Sequence, residues 1–107
     1  KPSVTNTRMP LEIRHTRQAR RDLKEIWTYI DQNDTNAADR LLRRIAERIA
    51  QASQTPMMGR PRPELRGNLR SLVVGHYVIF YELRPDILYV VRVLHSARDI
   101  SVEMFDD

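Results

Sequence analysis

The chemistry available to this 107-residue chain centres on one histidine and several arginines. His95 follows an apolar run near the C-terminal end, and an imidazole can act as a general acid or base near neutral pH. Arginine binds phosphate or carboxylate through paired hydrogen bonds. Cleavage of RNA through its 2′-hydroxyl needs an acid, a base and cations beside the phosphate. The residues available for that chemistry are His95, Arg62, Arg70 and Arg98.

His95 also has a simpler interpretation. A single histidine at a strand end is more often hydrogen-bonded to the backbone, or to a carboxylate such as Asp99. His15 and His76 lie beside predicted turns, and no two of the three histidines have metal-ligand spacing. The chain has no cysteine, which excludes disulfides and thiolate chemistry. We therefore expect neither a metal site nor a cofactor.

The charge of the chain favours an acidic partner or a nucleic acid. Its formal net charge is +4, and sixteen arginines stand against two lysines. The planar fork of donors on arginine matches carboxylates and phosphates better than the point charge of lysine does. A compositional bias of the genome would produce the same excess, so both explanations stay open.

The spacing of apolar residues predicts a strand, two helices and three further strands. Residues 11–15 alternate apolar and polar side chains, as in a short half-buried strand. From residue 17 to about residue 33, and again to about residue 53, apolar residues recur every three or four positions, which indicates two amphipathic helices. So short a connection makes the helices an antiparallel hairpin.

Capping and turn residues predict where these elements begin and end. Thr16 is the predicted N-cap of the first helix, and Asn36 with Asp39 is the predicted capping box of the second. Gly75, first in a two-residue loop, suits a type II′ hairpin, and Arg84-Pro85-Asp86 supplies the next reversal. The predicted fold is α+β: a small twisted sheet, ordered strand-helix-helix-strand-strand-strand along the chain, with the helical hairpin on one face. A helical hairpin is long enough for the first strand to return parallel to the sheet.

The remaining segments are predicted to be loops and extensions. Gln54–Asn68 is rich in proline and arginine, with Leu65 as its apolar anchor. Residues 1–10 are predicted to be a disordered extension, with Met9 as a candidate natural start, and residues 11–107 to be a single domain. No apolar run approaches the roughly 20 residues that span a bilayer. We expect a cytoplasmic protein with no membrane partner.

The stretch from Gly67 to Asp99 carries a family resemblance. Arg-Ser-Leu, a valine-glycine turn, Tyr-x-Ile-Phe-Tyr and Val-x-Arg-Val-Leu-His-x-Ala-Arg-Asp resemble the closing sheet of ParE toxins, within the wider RelE/ParE superfamily of toxin-antitoxin proteins. The resemblance extends to the first helix, in the pattern Ala19, Asp22-Leu23, Ile26, Tyr29-Ile30.

The resemblance implies a toxin that contributes to plasmid or chromosome stability. Some members of the superfamily cleave messenger RNA on the ribosome, whereas ParE members poison DNA gyrase without nuclease chemistry. Ribonuclease members typically place a tyrosine or basic residues near the C-terminus. Here the last tyrosine is Tyr89, and the tail EMFDD is acidic. We therefore expect a gyrase inhibitor with no catalytic residues, the alternatives being a ribosome-dependent endoribonuclease and an inactive binding module.

The resemblance also implies partners and surfaces. A ParD-like antitoxin would neutralise the toxin, DNA gyrase would be its target, and operator DNA would be contacted only indirectly, through the antitoxin. The expected target-binding residues are Arg60, Arg62, Arg70, Arg92, His95 and Arg98. The expected antitoxin-binding residues are Leu23, Trp27, Tyr29, Leu41 and Ile45.

Three of these expectations leave alternatives. Arg92 could instead pair with Glu82 on the neighbouring strand. Trp27 lies on the apolar stripe of its helix, where core packing is the commoner role. Three strand tyrosines could form an aromatic surface on the face away from the helices, although ordinary cross-strand packing is commoner; they are Tyr77, Tyr81 and Tyr89.

Overall fold

The structure is a computed structural model and describes residues 10–105. Its strands and α-helices, in chain order, are β1 (Glu12–His15), α1 (Arg17–Asp31), α2 (Thr35–Gln54), β2 (Arg60–Pro61), β3 (Leu69–Val74), β4 (Tyr77–Arg84) and β5 (Ile87–His95), with 3₁₀ turns at Pro56–Met58 and Val102–Phe105. The predicted α+β fold is confirmed. The prediction of disorder over residues 1–10 concerns, except for Pro10, residues outside this description.

One mixed sheet of five strands, in the order β1-β5-β4-β3-β2, organises the chain. β1 lies parallel to β5, as a helical-hairpin crossover allows, and the other pairs are antiparallel. The two-residue strand β2 was not predicted; it forms inside the expected loop, where Arg60 pairs with Ser71. A register shift between Phe80 and Tyr81 leaves Val91 on β5 without a residue opposite it, which is a β-bulge.

The helices cover one face of the sheet. Their apolar stripes pack on alternate strand residues, and the centre of this core is fully buried: Ala19, Ile45, Ile79, Tyr81, Leu88 and Val90. Tyr77 packs against the same core. Tyr77 and Tyr81 therefore lie on the helix side, and only Tyr89 packs on the opposite face, so the three tyrosines do not form one aromatic surface.

The opposite face of the sheet has a second, smaller core. Leu69, Phe80 and Val91 are covered there by Leu65 from the loop and by Phe105 from the C-terminal 3₁₀ turn. Leu65 is 8% exposed, so its predicted role as the loop anchor is confirmed. The sheet is thus buried on both faces, and the last described residues are part of the core.

The observed helix starts agree only partly with those predicted from the sequence. Thr16 Oγ1 accepts a hydrogen bond from Ala19 N, which confirms it as the cap of α1. The predicted capping box of α2 at Asn36 and Asp39 is wrong, because Asp34 is the N-cap and accepts from Ala37 N. The Asp39 carboxylate accepts a hydrogen bond from Trp27 Nε1 at 2.9 Å and thereby links the two helices.

Candidate functional site

A cleft opens between α1 and the end of the sheet, with a volume of about 350 Å³. We call it the His95 cleft. It is lined from α1 by Asp22, Glu25, Ile26 and Tyr29, and from the sheet and the segment after it by Tyr77, Val93, Leu94, His95 and Arg98. Buried aliphatic side chains and a half-buried tyrosine lie in its walls, while exposed polar groups stand at its mouth. A concave apolar surface with a few convergent polar groups is the usual form of a binding site.

His95 is held at the mouth of this cleft by the backbone N–H of Ala97 and by two neighbouring rings. Its Nδ1 accepts a hydrogen bond from Ala97 N at 3.0 Å, which places the proton of the neutral ring on Nε2. The ring meets Tyr77 edge-on at 5.1 Å and stacks on His76 at 6.1 Å. Burial, together with nearby Tyr29, raises the pKa of Tyr77 above its usual value of 10.0. Tyr77 therefore keeps its hydroxyl proton at neutral pH and can both donate and accept.

The base of the cleft rests on a buried ion pair. Arg92 Nε and Nη2 each donate to Asp22 at 2.8 Å, and the same carboxylate accepts from Val93 N at 3.0 Å. The predicted pairing of Arg92 with Glu82 is wrong; Glu82 is bonded instead to Arg66 and Arg84. Arg92 is 8% exposed and also donates to Met104 O, so it is a structural residue in this chain.

The other predicted target-binding arginines lie away from the cleft, on β2, on β3 and on the loop between them. Arg62 pairs with Glu64 at 2.7 Å and lies over the Phe80 ring at 5.5 Å. Arg70 donates to the carbonyl oxygens of Met57 and Gly59. Arg60 is exposed on β2, the strand furthest from β5 in the sheet. At about 4.8 Å per strand, β2 is roughly 14 Å from β5 across the sheet. Of the six predicted residues, only His95 and Arg98 line the His95 cleft.

The predicted antitoxin-binding residues divide into three groups. Tyr29 is 68% exposed and stands at the edge of the His95 cleft. Leu23, Trp27 and Leu41 are half-buried on the helical hairpin. Ile45, by contrast, is buried: its side chain is 1% exposed and packs on the sheet, so it is not accessible to an antitoxin in this structure.

Sequence reasoning missed Glu25 and the structural role of Asp22. A signal for Asp22 was present: it occupies the apolar stripe of α1, between Ala19 and Ile26 at helical spacing. A carboxylate on a buried stripe needs a cation or several donors, and Arg92 in an apolar strand needs an anion for the same reason. Glu25 carries no comparable signal, because exposed acids are common on helices.

Two classes of site do not occur in the described residues. From Pro10 to Phe105, no cluster of three or more histidine, aspartate or glutamate side chains could hold a metal ion. Over the same range, no helix combines the length and the apolarity needed to cross a membrane.

Comparison with known sequences identifies the relatives of this chain. The profile of the family described as ParE toxin of type II toxin-antitoxin system, parDE, matches residues 13–100. Toxin ParE1 of Caulobacter vibrioides is 33% identical over 93 residues, which is 85% of this chain and 95% of the relative. Toxin RelE3 of the same organism is 32% identical over 83 residues, covering 74% and 87%.

Solved structures show the same fold. The toxin-antitoxin structure described as the chromosomal ParDE system of P. aeruginosa superimposes with a TM-score of 0.67 at 19% identity, over 79% of this chain and 95% of that chain. A chain of the RelBE2 toxin-antitoxin complex of Mycobacterium tuberculosis gives 0.61 at 21% identity, over 81% and 99%. Since the family profile spans most of the sequence, the chain belongs to the ParE toxin family of type II toxin-antitoxin systems.

Proposed function

We propose that this toxin acts by binding DNA gyrase and that the His95 cleft is the centre of its target-binding surface. The observation that carries the proposal is the composition of the cleft. Its walls include Ile26 and Val93 from the core beneath the helices, which can contact an apolar side chain of a partner, and its mouth holds His95 and Arg98 as hydrogen-bond donors. Such a site recognises an apolar anchor next to a carboxylate or phosphate.

The positions of Arg62 and Arg70 favour a binding function over a catalytic one. Arg62 and Arg70 are each engaged by groups of their own chain, and they lie near the β2–β3 edge of the sheet, whereas His95 lies at the end of β5. A general acid and its phosphate-binding cations must contact the same few atoms of a substrate. The four residues considered for a nuclease therefore do not converge in this arrangement.

The partner that would neutralise the toxin is an antitoxin, as in the ParDE and RelBE2 systems. We propose that it covers the half-buried apolar side chains of the hairpin, Leu23, Trp27 and Leu41, and reaches Tyr29 at the mouth of the cleft. An antitoxin segment in that position would block the target surface directly. Hydrogen exchange of the complex should then show added protection in α1; unchanged exchange in both helices would contradict this arrangement.

The test of gyrase binding is a supercoiling assay with purified toxin. His95→Ala combined with Arg98→Ala removes both donors at the mouth, and removal of each charge-assisted hydrogen bond costs about 1.5–3 kcal/mol. We expect inhibition to weaken roughly tenfold or more, with the melting temperature unchanged. Arg14→Ala is the control, because Arg14 is an exposed arginine that pairs with Glu12 outside the cleft. Full inhibition by the double variant would exclude the cleft as the target surface.

A second candidate function is ribosome-dependent cleavage of messenger RNA. The observation in its favour is that the same cleft places an imidazole, a guanidinium and two phenols together, from His95, Arg98, Tyr29 and Tyr77. The relative named Toxin RelE3 is consistent with it. Cleavage of ribosome-bound message that disappears in His95→Ala, without inhibition of supercoiling, would establish this function instead.

A further inference from the structure

The exposed arginines of α2 form a row that the fold does not use. Arg40, Arg43 and Arg44 are exposed, and within residues 10–105 none of them makes an ion pair or a side-chain hydrogen bond. By contrast, five other arginines are tied to carboxylates of the chain: Arg14, Arg62, Arg66, Arg84 and Arg92. We call Arg40, Arg43 and Arg44 the α2 arginine row.

The neighbouring acids leave this row cationic. Asp39 is already bonded to the indole of Trp27, and Glu47, one turn further along, is the remaining carboxylate on the same side of α2. Three guanidinium groups therefore face solvent beside one free carboxylate. An exposed surface of this kind attracts a polyanion, most strongly at low ionic strength.

The spacing of the row fits a phosphate backbone. At 1.5 Å per residue, the Cα atoms of Arg40 and Arg44 are about 6 Å apart along the helix, with Arg43 between them. One strand of a duplex carries a phosphate about every 3.4 Å along its axis. Three long and mobile side chains over that length can reach two or three successive phosphates.

The surroundings of the row offer few apolar anchors to a protein partner. A protein interface gains most of its affinity from buried aromatic or aliphatic anchors. On α2 itself the exposed residues next to the row are small or polar, namely Asn36, Ala46 and Glu47. The apolar residues near it are half-buried Leu41 and exposed Val73 of β3, which lines a pocket of about 150 Å³ with Arg44. A phosphate backbone needs no such anchor, since its contacts fix position through charge alone.

We propose that the α2 arginine row binds the phosphate backbone of nucleic acid, independently of the His95 cleft and of the target bound there. This contact adds to the indirect contact with operator DNA expected through an antitoxin. It is made without sequence preference, and its affinity falls with salt in proportion to the phosphates neutralised.

The experiment measures binding of the purified chain to a fluorescent 20-base-pair DNA duplex and to a single-stranded RNA over a range of salt concentrations. The variant changes Arg40, Arg43 and Arg44 to Gln. The control changes Arg14, Arg60 and Arg84 to Gln, which removes the same charge from exposed positions away from α2. The slope of log K against log salt changes by roughly 0.9 per phosphate for duplex DNA and about 0.7 for a single strand.

For the row variant we expect a slope shallower by about 2 to 3 on duplex DNA, and for the control a slope close to that of the parent. Dividing each slope difference by about 0.9 for the duplex and about 0.7 for the single strand gives the number of phosphates lost, and the nucleic acid with the larger number is the preferred ligand of the row. If the slope decreases equally in the row variant and in the control, only the net charge matters, and the proposal is overturned. Absence of binding by the parent at low salt would also overturn it.

Discussion

Asp22 and Arg92 are the clearest case in this chain of two residues that require each other. Each is less than 10% exposed, and each would be costly to bury alone. Asp22 fixes the position of α1 against β5 through three hydrogen bonds, to two guanidinium nitrogens and to Val93 N. Because Arg92 also donates to Met104 O, the pair joins the helical layer to the C-terminal segment on the other side of the sheet.

We predict that Asp22→Asn lowers the free energy of unfolding by about 3 kcal/mol or more. The reason is that the substitution leaves the Arg92 charge buried without its anion, and breaking such a pair costs roughly 3–5 kcal/mol. Urea denaturation measures the loss. Glu25→Gln, a change of the same kind at an exposed position one turn away, should alter stability by under about 0.5 kcal/mol. A loss below about 1 kcal/mol for Asp22→Asn would mean that the pair contributes little.

Gly59 is small because a tyrosine occupies the space beside it. The Tyr81 hydroxyl accepts from Gly59 N at 2.9 Å and donates to Pro56 O at 2.7 Å, and a Cβ on Gly59 would be 2.5 Å from that hydroxyl oxygen. Burial raises the pKa of Tyr81 above 10.0 despite this hydrogen bond. The hydroxyl therefore keeps its proton and holds the 3₁₀ turn against the sheet.

For Gly59→Ala we predict destabilisation of about 1–3 kcal/mol, the usual cost of overpacking a close contact. Gly67→Ala is the matched control, because a Cβ on Gly67 would meet no other group within 4 Å and the backbone there has no positive φ. That control should be neutral or slightly stabilising, by up to about 1 kcal/mol. Thermal melts of the two variants side by side test this difference; equal melting temperatures would contradict it.

At the scale of elements, the turns were the most predictable feature. Gly75 has φ of 58°, as the first position of a type II′ turn requires, and Asp86 after Pro85 has φ of 65°, as at the second central position of a type II turn. Turn geometry depends on adjacent residues, so the sequence suffices. The start of α2 was not predictable in the same way, because several good capping residues stand together before it and only one, Asp34, has the extended backbone of an N-cap.

The junction of β1 and α1 gives the chain a sensitivity to acid. His15 is half-buried there, and burial, with a smaller contribution from the Arg20 cation, lowers its pKa below the ordinary 6.5. The unfolded chain therefore takes up a proton at higher pH than the folded chain does. Stability is present above pH 6.5 and is lost as pH falls below that value towards the folded pKa.

We predict that His15→Gln reduces this dependence. When the pH is lowered from about 7.5 to about 5.5, the melting temperature of the parent should fall further than that of the variant, because glutamine has no proton to take up in the unfolded state. His76→Gln is the control, since His76 is exposed beside the Gly75 turn, and it should follow the parent. Parallel pH profiles for parent and His15→Gln would show that His15 is not responsible.

At the scale of the whole molecule, the sequence predicted the layers better than the surfaces. The periodicity of the apolar residues is a property of the chain, so the helical hairpin and the three closing strands followed from it. Whether a given arginine is free depends on what the fold brings beside it. Arg62 and Arg70 are engaged by Glu64 and by backbone carbonyls, whereas Arg40, Arg43 and Arg44 of α2 remain exposed. Of the residues predicted to bind the target, only His95 and Arg98 therefore lie in the cleft.

The C-terminal segment has no pattern in the sequence that indicates a role, and the structure gives it one. Phe105 is 1% exposed and meets the Phe80 ring edge-on at 4.9 Å, in the core on the face away from the helices. Arg66 donates to the Phe105 carbonyl and Arg92 to that of Met104, so two buried or half-buried cations hold the segment in place. Without this segment, apolar side chains such as Phe80 would face water.

We therefore predict that Phe105→Ala lowers the free energy of unfolding by about 3–5 kcal/mol, as for other large-to-small changes in a core. Guanidinium denaturation measures the loss, and the dye ANS should bind the variant if the second core loosens. Val102→Ala is the control in the same turn, because Val102 is 50% exposed and should change stability by under about 0.5 kcal/mol. Equal stabilities for the two variants would mean that the burial of Phe105 against the sheet does not stabilise the fold.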